Sequence, residues 1–193
     1  MKKKVLVIVA HPDDETIWMG GTLIRNKEKW DTTLICLCRS RDRNRSPKFR
    51  KVCKILGVQG RIFDLYDKKF TPLAISKHKN IILKVAERHY DLIFTHNYNG
   101  EYGHIRHKET HQAVKELLKD KKLSAKKVIF FSYKKINNNF QGYAICNSNA
   151  NKFIRLNKQE LVLKKHLIKD VYGFQEGGFE ERSSGRVESF IEQ

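Results

Sequence analysis

Acidic and imidazole side chains follow the first apolar stretch of the chain. The run at residues 5–10 is short and β-branched, which predicts a strand buried on both faces. It ends in residues 11–15, His-Pro-Asp-Asp-Glu, and ligands of open α/β sheets bind just beyond the carboxyl ends of strands. His11 and Asp14 are three residues apart at the start of the next predicted helix, so both can reach one metal ion. This arrangement leaves Asp13 for another task.

Helix capping is the alternative explanation for these acids. An Asp that follows a strand commonly accepts hydrogen bonds from the first N–H groups of a helix. One cap needs only one acid, however, and three clustered carboxylates repel one another unless a positive charge lies among them. The clustering of Asp13, Asp14 and Glu15 therefore favours a cation site over a simple cap.

A second group of candidate ligands begins at residue 96, after another predicted strand. Histidines recur at positions 104, 107 and 111, on a predicted helix that extends to about residue 119. His104 and His107 are i,i+3 and His107 and His111 are i,i+4, so either pair shares a helix face. Three histidines at helical spacing, at the same sheet edge as His11, favour a metal site over ordinary structural histidines. The spacing alone does not choose between His107 and His111 as the ligand.

The rest of the chain supplies the frame for these two segments. Strands that alternate with amphipathic helices predict an α/β fold, a Rossmann-like arrangement with a mostly parallel, doubly wound sheet. The predicted strands are 5–10, 32–38, 61–65, 92–95, 128–132 and 141–146, and the predicted helices are 16–29, 48–56, 77–89, the segment ending near 119, and 158–170. Residues after 170 contain no further predicted element and are expected to close over the sheet edge. The whole chain, 1–193, is expected to form a single domain.

Composition narrows the classes of function. The formal net charge is +18, but the lysines are dispersed and no nucleic-acid-binding motif accompanies them, so nucleic acid is not expected as a partner. No stretch of about 20 apolar residues is present, so no membrane span is expected. The absence of a Cys-x-x-Cys pair predicts reduced thiols and a cytoplasmic location. Cys36 and Cys38 alternate within a predicted strand and should pack on one side of the sheet.

Arginines are concentrated directly after the second predicted strand. They are Arg39, Arg41, Arg43 and Arg45. Because arginine binds phosphate and carboxylate groups in a bidentate manner, this loop predicts recognition of an anionic group on a small-molecule substrate. A solvated loop with no ligand is the alternative, and both interpretations stay open.

Two motifs in this chain resemble those of the LmbE-like (PIG-L) family. They are Ala-His-Pro-Asp-Asp-Glu at residues 10–15 and Gly-Glu-Tyr-Gly-His-x-x-His at residues 100–107. The family consists of zinc-dependent de-N-acetylases of N-acetylglucosaminyl compounds, on a Rossmann-like three-layer sandwich. The resemblance implies the same fold and a hydrolase that releases acetate and a free amine from an N-acetyl amino sugar.

The resemblance also implies a role for each matching residue. The implied metal ligands are His11, Asp14 and His107. Asp13 is the implied general base and His104 the implied general acid. Tyr102 is the implied donor to the oxyanion. The implied cofactor is Zn²⁺, although Fe²⁺ accepts the same types of donor. The family pattern leaves His111 to packing or to supporting the ligands.

The second motif departs from the family pattern at two positions. The family usually has His-Pro-Asp-His, whereas Ile105 and Arg106 here replace the proline and the acid. Arg106 stands where substrate specificity is expected to be set, so we count it with the loop arginines as a candidate substrate-binding residue. Two alternatives therefore stay open: a catalytically impaired protein that binds a sugar or a polyanion on the same fold, and a related amidase that cleaves a thiol–sugar conjugate.

Overall fold

Strands and helices alternate along the chain, as the hydrophobic periodicity predicts. The computed structural model describes residues 1–67, 71–136 and 142–193. The strands are β1 (Lys3–Val9), β2 (Trp30–Cys38), β3 (Gln59–Leu65), β4 (His89–Thr95), β5 (Ser124–Phe131), β6 (Tyr133–Ile136), β7 (Tyr143–Cys146), β8 (Lys152–Arg155) and β9 (Val187–Glu192). The helices are α1 (Asp14–Asn26), α2 (Arg45–Leu56), α3 (Ile75–Leu83), the short turn α4 (Gly100–Gly103), α5 (Ile105–Lys119), α6 (Lys158–His166), a π-helical turn (Leu167–Val171) and α7 (Phe179–Ser183). Within these ranges every helix is too short or too polar to cross a bilayer.

Seven strands form one central sheet, in the order β3-β2-β1-β4-β5-β9-β8. The strands from β1 to β5 pair in parallel, whereas β9 pairs antiparallel with both β5 and β8. The strands β6 and β7 form a separate antiparallel ribbon. Helices cover both faces of this mostly parallel sheet, and the predicted α/β, Rossmann-like architecture is confirmed.

The first strand is buried on both faces, as its uninterrupted apolar sequence predicts. Val5, Val7 and Val9 pack in one core with residues of α1 and α2. Leu6 and Ile8 pack in a second core with residues of α3 and α5. Because β1 is held from both sides, the residues that follow Val9 start from a fixed point at the edge of the sheet.

The strand order reverses between β1 and β4. β2 and β3 lie on one side of β1, and β4 and β5 lie on the other side. The connections after β1 and β4 therefore leave in opposite directions, which opens a crevice beyond the carboxyl ends of these two strands. Both candidate motifs lie in the segments that line this crevice.

Local signals account for several helix boundaries and contacts. The helix α2 ends at Gly57, which adopts a left-handed conformation with φ of 68°. A capping box between Asn157 and Glu160 starts α6. Gly21 lies so close to Leu156 that a Cβ atom there would be 2.2 Å from it, which explains why a glycine stands in this helix.

The C-terminal part departs from the prediction. The residues after 170 include β9, which was not predicted and lies inside the central sheet, whereas Phe179 and Glu180 lie at the sheet edge as expected. Glu188 fixes this strand, because its buried carboxylate accepts hydrogen bonds from the backbone N–H groups of Gly21 and Thr22 and pairs with Lys164 at 2.8 Å. The edge strand β8 was not predicted, since four residues of alternating exposure carry little signal. Gln141, the first residue of the predicted strand 141–146, lies outside the described residues.

The cysteines are all free thiols, but two of them are placed differently than predicted. Cys36 packs in the core with α1, whereas Cys38 packs in the core with α3. The pairing of β2 with β3 is irregular between these two residues. Two steps along β2 here oppose three steps along β3, so the end of the strand pair is irregular, and strict alternation does not set the face of Cys38.

Candidate metal centre and catalytic cleft

Side chains from the two motifs meet beyond β1 and β4. His11 Nδ1 lies 3.2 Å from His107 Nε2, and Asp14 Oδ2 lies 3.4 Å from each of these nitrogens. A tetrahedral ion with bonds of about 2.0–2.1 Å holds its ligand atoms about 3.3–3.4 Å apart, so this triangle has the size that a metal site requires. His111 lies outside it, because its Nδ1 is 3.0 Å from the carbonyl oxygen of His96.

The outer nitrogens of both imidazole rings face carboxylates. Glu101 Oε2 lies 2.6 Å from His107 Nδ1, and Asp67 Oδ2 lies 3.1 Å from His11 Nε2. Because a carboxylate can only accept, each ring, when it is neutral, carries its proton on the outer nitrogen. The inner nitrogens and the Asp14 oxygen then present only lone pairs to one another. A cation at the centre would stabilise this arrangement.

Glu101 and His96 support the triangle, although the sequence analysis assigned neither of them a role. Glu101 Oε2 also lies 2.8 Å from His96 Nδ1, and His96 Nε2 accepts a hydrogen bond from the Ala10 N–H at 3.0 Å. His96 therefore connects the two motifs. Burial raises the pKa of Glu101, but its contacts with His96 and His107 outweigh this effect and keep the pKa below the usual value. The position of His96 directly after β4 was a signal that could have identified it.

Asp67 is a third residue that the sequence analysis missed. It follows the carboxyl end of β3 by two residues, a position that the same sheet-edge rule would have marked. Burial raises its pKa, but the contacts with His11 and then with Arg39 lower it to about 2. Asp67 is therefore ionised, and it can orient the His11 ring.

Asp13 stands at the N-cap of α1, but its side chain does not cap the helix. Its φ of 126° lies in the region that residues other than glycine avoid. The Asp13 N–H donates to Glu15 Oε2 at 3.1 Å, and its carbonyl accepts from the Thr16 and Ile17 N–H groups, which holds the strained backbone in place. The carboxylate faces Arg45 Nη1 at 3.1 Å. It also lines a cleft that opens beside the triangle of His11, Asp14 and His107. Helix capping therefore does not explain why an aspartate stands at position 13.

The adjacent carboxylates of Asp13 and Asp14 have pKa values that move apart. Burial and the charge of Asp14 raise the pKa of Asp13 well above its usual value. Burial also raises the pKa of Asp14, but the rings of His107 and His96 outweigh it and bring the pKa well below the usual value. A carboxyl group with a raised pKa beside an ionised carboxylate is an arrangement that active sites use for a proton acceptor.

His104 caps α5 and faces the triangle. Its Nδ1 accepts a hydrogen bond from the Arg106 N–H at 3.2 Å. Burial, followed by the neighbouring rings of His107 and His11, lowers the pKa of His104 to about 3. The ring is therefore neutral near pH 7 and carries its proton on Nε2.

Tyr102 stands beside His104 on the wall of the cleft. Its ring centroid lies 4.8 Å from that of Phe179 and 5.3 Å from that of His107. Burial and the nearby carboxylates raise the pKa of the Tyr102 hydroxyl well above its usual value. The hydroxyl therefore keeps its proton and can donate it in a hydrogen bond.

The cleft beside the triangle is small. Its volume is about 130 Å³, below the roughly 300–1,000 Å³ of pockets that enclose a drug-sized ligand. The cleft has room for the reacting end of a substrate, and the rest would lie along the rim. Of the predicted substrate-binding arginines, Arg39 and Arg45 line this cleft, whereas Arg41 lines a neighbouring depression and Arg43 is exposed outside both.

The expectation that Arg106 binds substrate requires correction, because its side chain is 0% exposed. Nε and Nη2 donate to the carbonyl oxygens of Tyr66 and Thr71 at 3.0 Å and 2.8 Å. Nη1 pairs with Glu109 at 2.5 Å. Arg106 therefore binds the segment around Asp67 to α5 and does not reach the cleft.

Replacing Arg106 should destabilise the fold. The Arg106→Ala variant leaves the Glu109 charge without its guanidinium partner, and removing one member of a buried pair costs about 3–5 kcal/mol of the free energy of unfolding. Urea denaturation measures this loss. The matched control is Arg43→Ala, since truncating an exposed arginine changes stability by only about 0.5 kcal/mol. Equal urea midpoints for the two variants would contradict the structural role of Arg106.

A protein-family model matches the part of the chain that carries both motifs. The model described as PIG-L, GlcNAc-PI de-N-acetylase, matches residues 6–118, which include both motifs. An uncharacterized protein of Acanthamoeba polyphaga mimivirus is 33% identical over an alignment of 122 residues, which covers 55% of this chain and 54% of that protein. The matched region thus spans about half the length of this relative.

Solved structures resemble this chain over nearly its whole length. A conserved protein of Thermus thermophilus aligns with a TM-score of 0.72 and 14% identity, over 98% of this chain and 94% of that chain. The N,N'-diacetylchitobiose deacetylase of Pyrococcus horikoshii aligns with a TM-score of 0.67 and 17% identity, over 99% and 84%. A 4-carboxy-2-hydroxymuconate hydratase of Pseudomonas putida aligns with a TM-score of 0.65 and 14% identity, over 100% and 95%. At these identities the likeness is one of fold.

Proposed function

The chain belongs to the PIG-L, GlcNAc-PI de-N-acetylase, family, and on this premise we propose that it is a metal-dependent hydrolase of an N-acetylglucosaminyl compound. The reaction releases acetate and a free amine from an N-acetyl amino sugar. The observation that carries the proposal is the triangle of lone pairs from His11, Asp14 and His107, with the Asp13 carboxylate beside it.

The donor set of the triangle fits a divalent cation. Two imidazole nitrogens and one carboxylate oxygen are a known set of catalytic zinc ligands that leaves a position open, and Fe²⁺ accepts the same donors. When bound, such an ion lowers the pKa of a water molecule and polarises the acetamide carbonyl. Glu101 contacts His107 Nδ1 at 2.6 Å and favours the tautomer that such binding requires, and the Asp67 charge 3.1 Å from His11 Nε2 favours the corresponding tautomer of His11.

Asp13 is the group that takes the proton of the attacking water. Its raised pKa brings its proton affinity closer to neutral pH, where a general base works best. The strained backbone and the contact with Arg45 hold the carboxylate at the cleft. As the C–N bond breaks, Asp13 passes the same proton to the departing nitrogen, so that the amine leaves neutral.

His104 and Tyr102 act on the developing oxyanion. The general-acid role of His104 stays a prediction, and a ring with a pKa of about 3 carries no second proton to give near pH 7. We therefore favour a hydrogen bond from its Nε2–H to the oxyanion. The Tyr102 hydroxyl, which keeps its proton, supplies a second donor.

Two substitutions of His104 separate these roles. Removing one oxyanion donor costs about 10²–10³ in kcat, which is the loss we expect for His104→Ala. His104→Gln retains an N–H donor but cannot carry a proton, so we expect its kcat to stay within about tenfold of the wild type. The rate of acetate release measures kcat, and metal content is the control. Equal losses in both variants would instead support the general-acid role.

Chemical analysis of the products tests the proposed function. Purified protein loaded with Zn²⁺ should release acetate and primary amine in equal amounts from methyl N-acetylglucosaminide or N,N'-diacetylchitobiose. Dialysis against a chelator should lower this rate by about 100-fold or more, and added Zn²⁺ should restore it. No release of acetate and amine from any N-acetyl amino sugar would overturn the proposal.

The two alternatives lead to different results in the same assay. A protein that only binds a sugar or a polyanion releases neither product, and Arg106, which was the main support for this alternative, is directed away from the cleft. An amidase acting on a thiol–sugar conjugate releases an amine without acetate. Equimolar acetate and amine would therefore exclude both.

A further inference from the structure

Charged side chains at the rim of the cleft indicate which class of substrate the cleft can accept. Besides Asp13 and Asp14, the charged residues that line the cleft are Arg39, Arg45 and Glu180. The sequence predicts either that these arginines bind an anionic group on the substrate or that they belong to a solvated loop without a ligand. Whether they can do so depends on how much of their charge is already balanced by neighbouring acids.

Both rim arginines are matched by carboxylates. Arg39 Nη2 lies 3.1 Å from Asp67 Oδ2, and Arg45 Nη1 lies 3.1 Å from Asp13 Oδ2. The Arg45 guanidinium also lies 4.1 Å from the ring centroid of Phe174. A phosphate at either arginine would compete with a carboxylate that orients His11 or that serves as the proposed base. The matched guanidinium groups can still donate N–H groups to uncharged hydroxyls.

The other two loop arginines do not add charge to the cleft. Arg41 Nε lies 3.4 Å from Asp64 Oδ2, outside the cleft. Arg43 is exposed and is not among the residues that line the cleft. The basic character of this loop in the sequence is therefore largely balanced by acids that other segments bring to it.

Glu180 differs from these residues because its charge is unmatched. Across residues 1–67, 71–136 and 142–193, its carboxylate makes no hydrogen bond or ion pair, although it lines the cleft. Its backbone carbonyl accepts from the Ser184 N–H and hydroxyl at 3.1 Å and 2.8 Å, and the neighbouring Phe179 packs on Tyr102. These contacts fix α7 and hold the half-buried Glu180 at the mouth of the cleft.

We propose that Glu180 is a specificity-determining residue, which accepts hydrogen bonds from sugar hydroxyls and makes the cleft select N-acetylglucosaminyl compounds without a phosphate near the reacting sugar. This inference rests on the proposed function and names its substrate class. A carboxylate with no protein partner gains hydrogen bonds from hydroxyl groups at the rim, and it repels a phosphate brought to the same place.

Paired ligands that differ by one phosphate test this inference. Methyl N-acetylglucosaminide and N-acetylglucosamine 1-phosphate are compared by kcat/KM for acetate release and, independently, by calorimetric Kd on the Zn²⁺-loaded protein. We expect the wild type to favour the neutral sugar by about tenfold or more. Glu180→Lys should shift this preference towards the phosphate by about tenfold or more, and Glu180→Gln, which preserves size, should shift it by a smaller factor in the same direction.

The matched control is Glu176→Lys. This residue lies in the segment before α7, is exposed, and pairs with Lys169 outside the cleft, so the same change of charge should leave the preference unaltered. A wild type without preference, or equal responses of Glu180→Lys and Glu176→Lys while acetate is still released, would overturn the inference and leave the proposed function standing. A binding preference that responds to Glu180→Lys without any acetate release would support the ligand class and overturn the proposed reaction.

Discussion

The Asp13→Asn variant is expected to lose nearly all turnover while it keeps its metal. Asparagine has the same shape and tolerates positive φ better than most residues, so the strained turn at φ 126° should persist. Its amide cannot take a proton from water, and loss of general-base catalysis costs about 10²–10⁴ in rate. The kcat for acetate release measures the effect, and elemental analysis of the purified variant measures the metal.

The matched control for this variant is Asp64→Asn. Asp64 is an exposed acid near the same sheet edge that pairs with Arg41 and does not line the cleft. We expect it to keep wild-type kcat. Full activity in Asp13→Asn would show that another group serves as the base, and loss of the metal would place Asp13 among the ligands.

The second large effect is expected on metal affinity, which should fall by different factors in variants of Glu101 and His107. Structural zinc sites bind with about 10–16 kcal/mol over four ligands, so the loss of one ligand in His107→Ala should weaken binding by about 10²–10³-fold or more. Glu101→Gln keeps the ligand but removes the carboxylate that orients it, which should cost about 10–100-fold. Competition with a chromophoric chelator measures both values of Kd.

His111→Ala is the control for this series. His111 lies on α5 one turn after His107, but its Nδ1 contacts the carbonyl oxygen of His96 and not the triangle. We expect its metal affinity to equal that of the wild type. If His111→Ala weakened binding as much as His107→Ala did, the assignment of the third ligand would be wrong.

The sequence could identify those functional residues whose neighbours within a few positions form a recognisable pattern. The apolar run before His11 and the helical spacing of His104 and His107 depend on neighbours within a few positions, so they indicate a strand end and a helix face directly. The α/β fold follows from the same kind of periodicity. The irregularity between Cys36 and Cys38 does not, because it arises from pairing with β3 rather than from β2 itself.

The partners of the charged side chains could not be predicted from the sequence, because they come from distant segments of the chain. Arg106 is separated by about forty residues from the carbonyl group of Tyr66 that it binds, and nothing in its immediate sequence shows that it is buried. Asp67 reaches both His11 and Arg39, so one carboxylate serves two distant segments. The sequence analysis therefore interpreted the loop arginines as free charges, because their acids come from elsewhere in the chain.

The sequence by itself indicated the alternation of strands and helices from β1 to β5, the two motifs and the residue types that can bind a cation and move a proton. Those properties depend on composition and spacing over short distances. Only the tertiary structure decided which charges are balanced, that Arg106 is structural, that Glu101 and Asp67 lie against the histidines, and that no described side chain pairs with Glu180 at the cleft. Electrostatic interactions depend on distances in space and on burial, and both are set when segments far apart in the chain pack together.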